Sequence, residues 1–145
     1  MARIKIDLPD QFSFSVNIPV RITDINYGGH LGNDSILSLL HEARVKFINY
    51  LGFTELDVAG AGLIMADVGI EFKSESFYGD ILAISVAAGE FSKIGFEIFY
   101  KIETIRNGKT ILIAKAKTGM VCYDYNAKKI VAVPEELIKK FLWKK

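Results

Sequence analysis

The chain has 145 residues, half of them apolar, and its 18 lysines and arginines nearly balance 17 acidic residues. Because the apolar fraction is high and the net charge is only +1, intrinsic disorder is excluded, and the length predicts one globular domain over 1–145. The charge balance argues against a nucleic-acid-binding protein, and the single cysteine excludes an intramolecular disulfide.

The sequence shows no segment with the pattern of a targeting signal or a membrane span. The N-terminal segment lacks the apolar core of a secretory signal, and no apolar run reaches the roughly 18 residues that cross a membrane. The chain also shows no internal repeat, linker or low-complexity stretch. We therefore expect a cytoplasmic protein without a membrane span.

The first half of the chain predicts a strand, a loop and a long helix. Apolar and polar residues alternate over 12–20, which is the pattern of a strand. A glycine-rich loop over 23–32 follows, and then three residues at 33–35 of types that cap helices. Over 36–51 the apolar residues fill one broad arc at helical spacing, so we predict a single long helix there.

The second half predicts mainly strands, at 63–73, 81–90, 95–106 and 109–123. An Asn-Gly pair between the last two strands indicates a tight hairpin. The last strand has a face of small side chains that lets a helix lie close to it: Ala114, Ala116 and Thr118. A short helix begins at Pro134. Without alternating strands and helices, an α+β fold with an antiparallel sheet and one packed helix fits best.

The loop before the long helix concentrates the polar residues that could carry chemistry: Asp24, Asn26, His30, Asn33 and Asp34. Glycines let a ligand approach the backbone, and a helix N-terminus offers unpaired N–H groups to a developing oxyanion. A carboxylate and an imidazole can supply acid–base catalysis. The alternative is an ordinary loop, in which Asn33 or Asp34 caps the helix and Asp24 binds turn amides.

The same loop resembles a known family. The sequence Val-Arg-Ile-Thr-Asp-Ile-Asn-Tyr-Gly-Gly-His-Leu-Gly-Asn at 20–33, followed by Glu-Ala-Arg at 42–44, is similar to the signature of the 4-hydroxybenzoyl-CoA thioesterase-like proteins. Members show an acidic-x-acidic pair, Gly-His-Val-Asn-Asn and a helix with Glu-Ala-Arg. A Tyr-Gly-Asp turn at 78–80 and Val-Pro-Glu-Glu-Leu at 133–137 extend the resemblance over roughly 12–140.

This resemblance implies a hotdog fold, in which a curved antiparallel sheet wraps around one long central helix. It also implies an acyl-CoA thioesterase that hydrolyses an acyl-CoA or acyl-carrier-protein thioester to the free acid and thiol. No cofactor is expected, because coenzyme A enters as part of the substrate. Family sites lie at a dimer interface, so we expect a homodimer or a dimer of dimers, that is, a homotetramer.

The chain departs from the family at one position. The second acid of the family pair, which attacks the thioester or activates water, is Asn26 here, and an amide cannot act as a base. The resemblance carries catalytic roles to Asp24, Asn26, His30 and Asn33, with a backbone N–H near Asn33 as the oxyanion donor. A carboxylate on the helix is the base in some hotdog branches, which adds Glu42 to the candidates.

Several interpretations stay open at this point. Asp24 or His30 is the base, or Asn26 orients a water that another group, such as Glu42, activates. Alternatively, the protein binds acyl thioesters without hydrolysing them, or it is a hotdog hydratase or dehydratase that pairs Asp24 with His30.

Arg44 adds a further constraint. It falls inside the apolar arc of the predicted helix, and a buried guanidinium needs a carboxylate partner. We expect that partner to be Asp24 or Asp67. A pairing with Asp24 would give this carboxylate a structural role and a low pKa. His41 is expected at the edge of the arc, and Cys122 in the packing of the last strand.

Overall fold

The structure is a computed structural model and describes residues 3–142. Its elements are β1 Phe14–Pro19, α1 Asn33–Tyr50, β2 Gly62–Phe72, β3 Ile81–Gly89, β4 Gly95–Arg106, β5 Lys109–Asp124, β6 Lys129–Ile130 and α2 Glu135–Phe141. A single 3-10 turn lies between β1 and α1, at Ile22–Asp24. The predicted strands and the long helix are confirmed. The structure adds β6, which was not predicted because a strand of two residues is too short to show an alternating pattern.

The strands form one antiparallel sheet in the order β1-β3-β4-β5-β2, and β6 pairs with the end of β5. The α+β class is therefore confirmed. The hairpin between β4 and β5 turns at Asn107 and Gly108, whose φ angles are +54° and +75°. These left-handed conformations are the ones that an Asn-Gly turn adopts most easily.

Helix α1 buries its apolar arc in the core of the protein. Leu39, Leu40, Ala43, Phe47 and Ile48 are each at most 2% exposed. The small residues predicted on β5 belong to the same core, since Ala114 and Ala116 are fully buried. The strands that α1 approaches most closely are β1 and β3, so the expectation that the small face of β5 receives the helix stays a prediction.

The start of α1 differs from the prediction. The N-cap residue is Gly32, with extended backbone angles, and the three predicted capping residues lie in the first turn of the helix. The Gly32 N–H donates to the carbonyl of Asp24 at 3.0 Å. The helix cap therefore lies at residue 32, one position before the first of the predicted capping residues. A Cβ on Gly32 would lie 2.7 Å from Oδ1 of Asp34, so a larger residue there requires the Asp34 side chain to move.

The partner predicted for Arg44 was wrong. Arg44 is buried on α1, and its Nε donates to Oε2 of Glu55 at 2.7 Å, while Nη1 donates to the Tyr100 hydroxyl at 3.3 Å. Glu55 also bonds Nε2 of His41 at 2.8 Å. Burial alone would raise the pKa of Glu55, but the hydrogen bonds and charge of Arg44 and His41 lower it below its ordinary value.

The two expected partners are engaged elsewhere. Asp67 accepts a hydrogen bond from the Gly119 N–H at 3.0 Å, beside the irregularity between Met65 and Asp67 in β2. Asp24 binds Arg21. Glu55 reaches Arg44 because the segment after α1 folds back onto the helix, and no local sequence pattern reports such a fold-back.

Replacing Glu55 by Ala is expected to lower the free energy of unfolding by about 3 kcal/mol, because a buried guanidinium then loses its carboxylate. Urea unfolding at pH 7 measures this loss. Leu56→Ala is the matched control, since Leu56 is the next residue and is 75% exposed, and it should change the stability by less than about 0.5 kcal/mol. Equal stability of the two variants would contradict the structural role of the pair.

Candidate active site

The loop before α1 is closed by its own backbone. Ile25 and Leu31 form an antiparallel bridge, and the Asn26 N–H donates to the carbonyl of His30 at 2.9 Å. Gly29 lies at the tip with φ +86°, which favours glycine. The Leu31 N–H then donates to the carbonyl of Ser76 at 2.8 Å, so the loop is fixed beside the segment that follows β2.

A cavity of about 220 Å³ opens where this loop, the start of α1 and the end of β2 meet. Its apolar wall includes Ile36, Phe72 and Ile113, and its polar groups include His30, Asn33 and Glu75. An apolar cavity with a few convergent polar groups is the usual form of a small-molecule site.

His30 presents its ring to this cavity and is about one-third exposed. Its Nδ1 lies 3.4 Å from the carbonyl oxygen of Leu31, and its Nε2 lies 3.9 Å from Oε1 of Glu75. The imidazole is therefore held by the loop on one side and faces a carboxylate on the other.

The first residue of α1 lines the same cavity. Gly32 has no side chain with which to cap the helix, and Asn33 lines the cavity. Within residues 3–142, no side chain accepts a hydrogen bond from the Asn33 N–H. An uncapped helix N-terminus with a free N–H is suited to a carbonyl oxygen that gains negative charge.

Asn26 lies next to His30 but does not line the cavity. Its Oδ1 accepts a hydrogen bond from the Gly28 N–H at 2.9 Å, which shapes the turn. A Cβ on Gly28 would lie 3.2 Å from this oxygen and 3.4 Å from Nε2 of His30, so both side chains lie beside Gly28. The Asn26 amide is thus near the His30 imidazole, and an aspartate at position 26 would place its carboxylate there.

Asp24 lies behind the loop, away from the cavity. Its side chain is only 3% exposed and accepts hydrogen bonds from the Arg21 N–H at 2.8 Å and from the Arg21 guanidinium at 3.1 and 3.3 Å. Burial alone would raise the pKa of the Asp24 carboxyl, but the bonds and charge of Arg21 hold it below its ordinary value. This is the environment of a structural carboxylate.

Glu42 is exposed on α1 and also does not line the cavity. The structure therefore brings His30 and Asn33 together, leaves Asn26 beside them, and keeps Asp24 and Glu42 apart from them. It adds Glu75, which sequence reasoning missed. The Lys-Ser-Glu-Ser segment over 73–76 has no periodicity or motif, and only the pairing of Leu31 with Ser76 brings it to the site.

The remaining candidates take structural positions. Cys122 is fully buried, which raises its pKa to about 11, so its thiol stays protonated and is no nucleophile at neutral pH. His41 bonds Glu55, as described above. Of the helices in residues 3–142, none is both long and apolar enough to cross a membrane.

Comparison with known proteins shows the family to which this chain belongs. Residues 20–141 match the model of the thioesterase-like superfamily. A 1,4-dihydroxy-2-naphthoyl-CoA hydrolase of Nostoc punctiforme is 27% identical over 132 residues, which cover 88% of this chain and 85% of that protein. An acyl-CoA thioesterase, YbgC, of Haemophilus influenzae is 26% identical over 133 residues, with 90% and 93% covered.

Among solved structures, a variant of 4-hydroxybenzoyl-CoA thioesterase in complex with 4-hydroxybenzoyl-CoA superposes with a TM-score of 0.79. It is 17% identical, with 88% of this chain and 97% of that chain covered. The fold is therefore the hotdog fold that the loop sequence predicted. The chain belongs to the thioesterase-like superfamily, which confirms the predicted family and its class, a thioester hydrolase.

Asp24→Asn is expected to lower the free energy of unfolding by about 2 kcal/mol at pH 7, because it removes the charge that binds Arg21. The Asp24 carboxyl has a lowered pKa in the folded state, so its stabilising effect is full at neutral pH and is lost as pH falls through that value. The difference in the free energy of unfolding between wild type and Asp24→Asn should therefore shrink below about pH 4.

Urea unfolding at pH 7, 5, 4 and 3 measures this trend. Asp7→Asn is the control, because Asp7 is exposed, and it should leave the stability nearly unchanged at each pH. A difference for Asp24→Asn that stayed constant down to pH 3 would contradict the charged interaction.

Proposed function

We propose that this protein hydrolyses acyl-CoA thioesters in the cavity at the start of α1. The observation that carries the proposal is the uncapped N-terminus of α1, which opens beside His30 on an apolar cavity. Water attacks the thioester carbonyl, and the resulting tetrahedral intermediate expels the thiolate to leave the free acid and coenzyme A. The reaction as proposed needs no cofactor, since coenzyme A is part of the substrate.

The Asn33 N–H is the proposed oxyanion donor. As the thioester carbonyl carbon becomes tetrahedral, its oxygen gains negative charge, which the N–H and the positive end of the helix dipole stabilise. One well-placed donor of this kind lowers the activation free energy by roughly 3 kcal/mol. His30, which faces the same cavity, is the proposed base for the attacking water.

The cavity favours a short or aromatic acyl group. An apolar cavity of about 150 Å³ holds a benzene ring, so one of about 220 Å³, walled by Ile36, Phe72 and Ile113, suits an aromatic ring or a short chain. The two sequence relatives, a naphthoyl-CoA hydrolase and an acyl-CoA thioesterase, support coenzyme A as the thiol. An acyl-carrier-protein thioester is the alternative substrate.

We further propose that the protein acts as a homodimer, alone or as a dimer of dimers, with the site at the interface. β2 is an edge strand of the sheet, and Met65, Val68 and Phe72 on it are 39–50% exposed. A long apolar edge strand needs a cover, and a second copy of β2 would provide it. Since Phe72 also walls the cavity, a partner at this edge would complete the site.

We propose a cytoplasmic location, which fits one buried free cysteine.

The wild type is expected to release free thiol from benzoyl-CoA or short acyl-CoA substrates faster than from palmitoyl-CoA. His30→Gln should lower kcat about 100-fold, because it removes the base. His41→Gln is the control, since His41 is the other histidine of the chain and lies outside the cavity. Thiol release with a colorimetric reagent measures both, and an acyl-carrier-protein substrate is run alongside.

Asn26→Asp separates this function from its main alternative. A wild type that binds acyl-CoA but releases no thiol, together with a gain of release in Asn26→Asp, would indicate a binding protein whose catalytic acid is missing. The carboxylate–imidazole pair of a hydratase is not supported, because Asp24 binds Arg21 behind the loop.

A dimer is expected by light scattering at micromolar concentration. Val68→Lys should shift the protein to a monomer, because a charge on an edge strand opposes strand pairing. Ile105→Lys is the matched control, since Ile105 is 74% exposed on β4, an interior strand, and the dimer should persist. A monomeric wild type would overturn the proposed assembly.

A further inference from the structure

The cavity contains a carboxylate that the loop itself does not supply. Among the described residues that line it, Glu75 is the acidic one. The other carboxylates near the loop do not line the cavity. Asp24 binds Arg21, the Asp34 side chain lies over Gly32 with Oδ1 2.7 Å from the place of a Cβ there, and Glu42 lies outside the cavity.

The backbone around Glu75 is held in place from three sides. The Ser76 carbonyl accepts the Leu31 N–H at 2.8 Å, and Nη2 of Arg106 donates to the Glu75 carbonyl at 3.4 Å. The buried Ser76 hydroxyl donates to Asp80 at 2.8 Å, and Asp80 in turn binds Arg106 at 2.6 Å. The backbone of the segment is thus fixed against the loop, which keeps Glu75 beside His30.

The Glu75 carboxylate itself is free to act. It is 64% exposed, and within residues 3–142 it accepts no hydrogen bond. Lys73, the other charged residue on the cavity, is paired with Glu71. The group that the carboxylate faces is therefore His30, with 3.9 Å between Oε1 and Nε2.

In the tautomer whose Nδ1 donates to the Leu31 carbonyl, Nε2 of His30 is an acceptor. Nε2 and Oε1 are then two acceptors that face each other without a proton between them. Two such atoms are satisfied by a water that donates one hydrogen to each.

We propose that Glu75 supplies the carboxylate that Asn26 cannot, by holding the nucleophilic water against His30; this inference rests on the proposed thioester hydrolysis. The water oxygen forms a bond to the thioester carbon, and its proton passes to Nε2 of His30. The carbonyl oxygen becomes an oxyanion at the Asn33 N–H, and the Glu75 carboxylate balances the charge of the imidazolium. Collapse breaks the C–S bond, and the leaving thiolate takes the proton from His30, which gives acid and thiol.

The first test is Glu75→Gln, which keeps the size of the side chain and removes its charge. We expect kcat to fall about 100-fold with KM changed less than about twofold, because water activation is lost while substrate binding is kept. Glu136→Gln, an exposed carboxylate on α2, is the control and should retain full activity. Circular dichroism and urea unfolding verify that both variants are folded.

The second test is chemical rescue, which a purely structural role of Glu75 would not produce. Glu75→Ala opens a space at an exposed position, so added formate should restore thiol release at least tenfold. Formate should leave Glu75→Gln and the wild type unchanged, because the side chain fills that space.

The outcomes separate this inference from the function on which it rests. Active wild type with a fully active Glu75→Gln, or with no rescue of Glu75→Ala, would overturn the role of Glu75 and leave the thioesterase standing. No thiol release by the wild type from any substrate of the panel would overturn both.

Discussion

The site depends on the backbone contact that ties the loop before α1 to the segment after β2. The Leu31 N–H and the Ser76 carbonyl make this contact, and the Gly32 N–H continues it to the carbonyl of Asp24. These bonds bring an imidazole, a helix start and a carboxylate from distant parts of the chain to one cavity. Backbone bonds of this kind are insensitive to side-chain identity, so the polar residues around the cavity can vary while the geometry stays.

Two buried charged groups stabilise the elements around this contact. Asp24 pairs with Arg21 at the start of the 3-10 turn and fixes the shape of that turn, and Arg44 joins the middle of α1 to Glu55 and to Tyr100 on β4. Within the described residues, every buried side-chain nitrogen and oxygen has a hydrogen-bond partner. A fully satisfied polar network specifies one arrangement of helix and sheet, since any shift would leave charged groups unpaired in the core.

The parts of this structure that sequence predicts are those governed by a local period. Strand alternation, the apolar arc of α1 and the Asn107-Gly108 turn all follow from burial or backbone conformation of neighbouring residues. The loop composition also singled out His30 and Asn33, which line the cavity. Membership of the family followed from the order of residues in that loop.

The parts that sequence missed depend on contacts between distant segments. The partner of Arg44 could not be chosen among several carboxylates, because the fold-back that brings Glu55 to the helix leaves no periodic signal. The cap at Gly32 is set by a backbone bond to Asp24, and a glycine carries no capping side chain to recognise. Glu75 reaches the cavity only through the pairing of its neighbour, Ser76, with Leu31.

The pairing of Arg44 with Glu55 also constrains how this sequence can drift over evolutionary time. An apolar pair of similar volume can replace a buried ion pair at little or no cost, so the present charges are not the one solution for this position of the core. A change of either residue alone is the obstacle, because it leaves the other charge buried without an ionic partner. A lineage that exchanges this pair must therefore change both residues almost together, or first acquire spare stability elsewhere in the chain. The two positions are expected to be inherited as a unit.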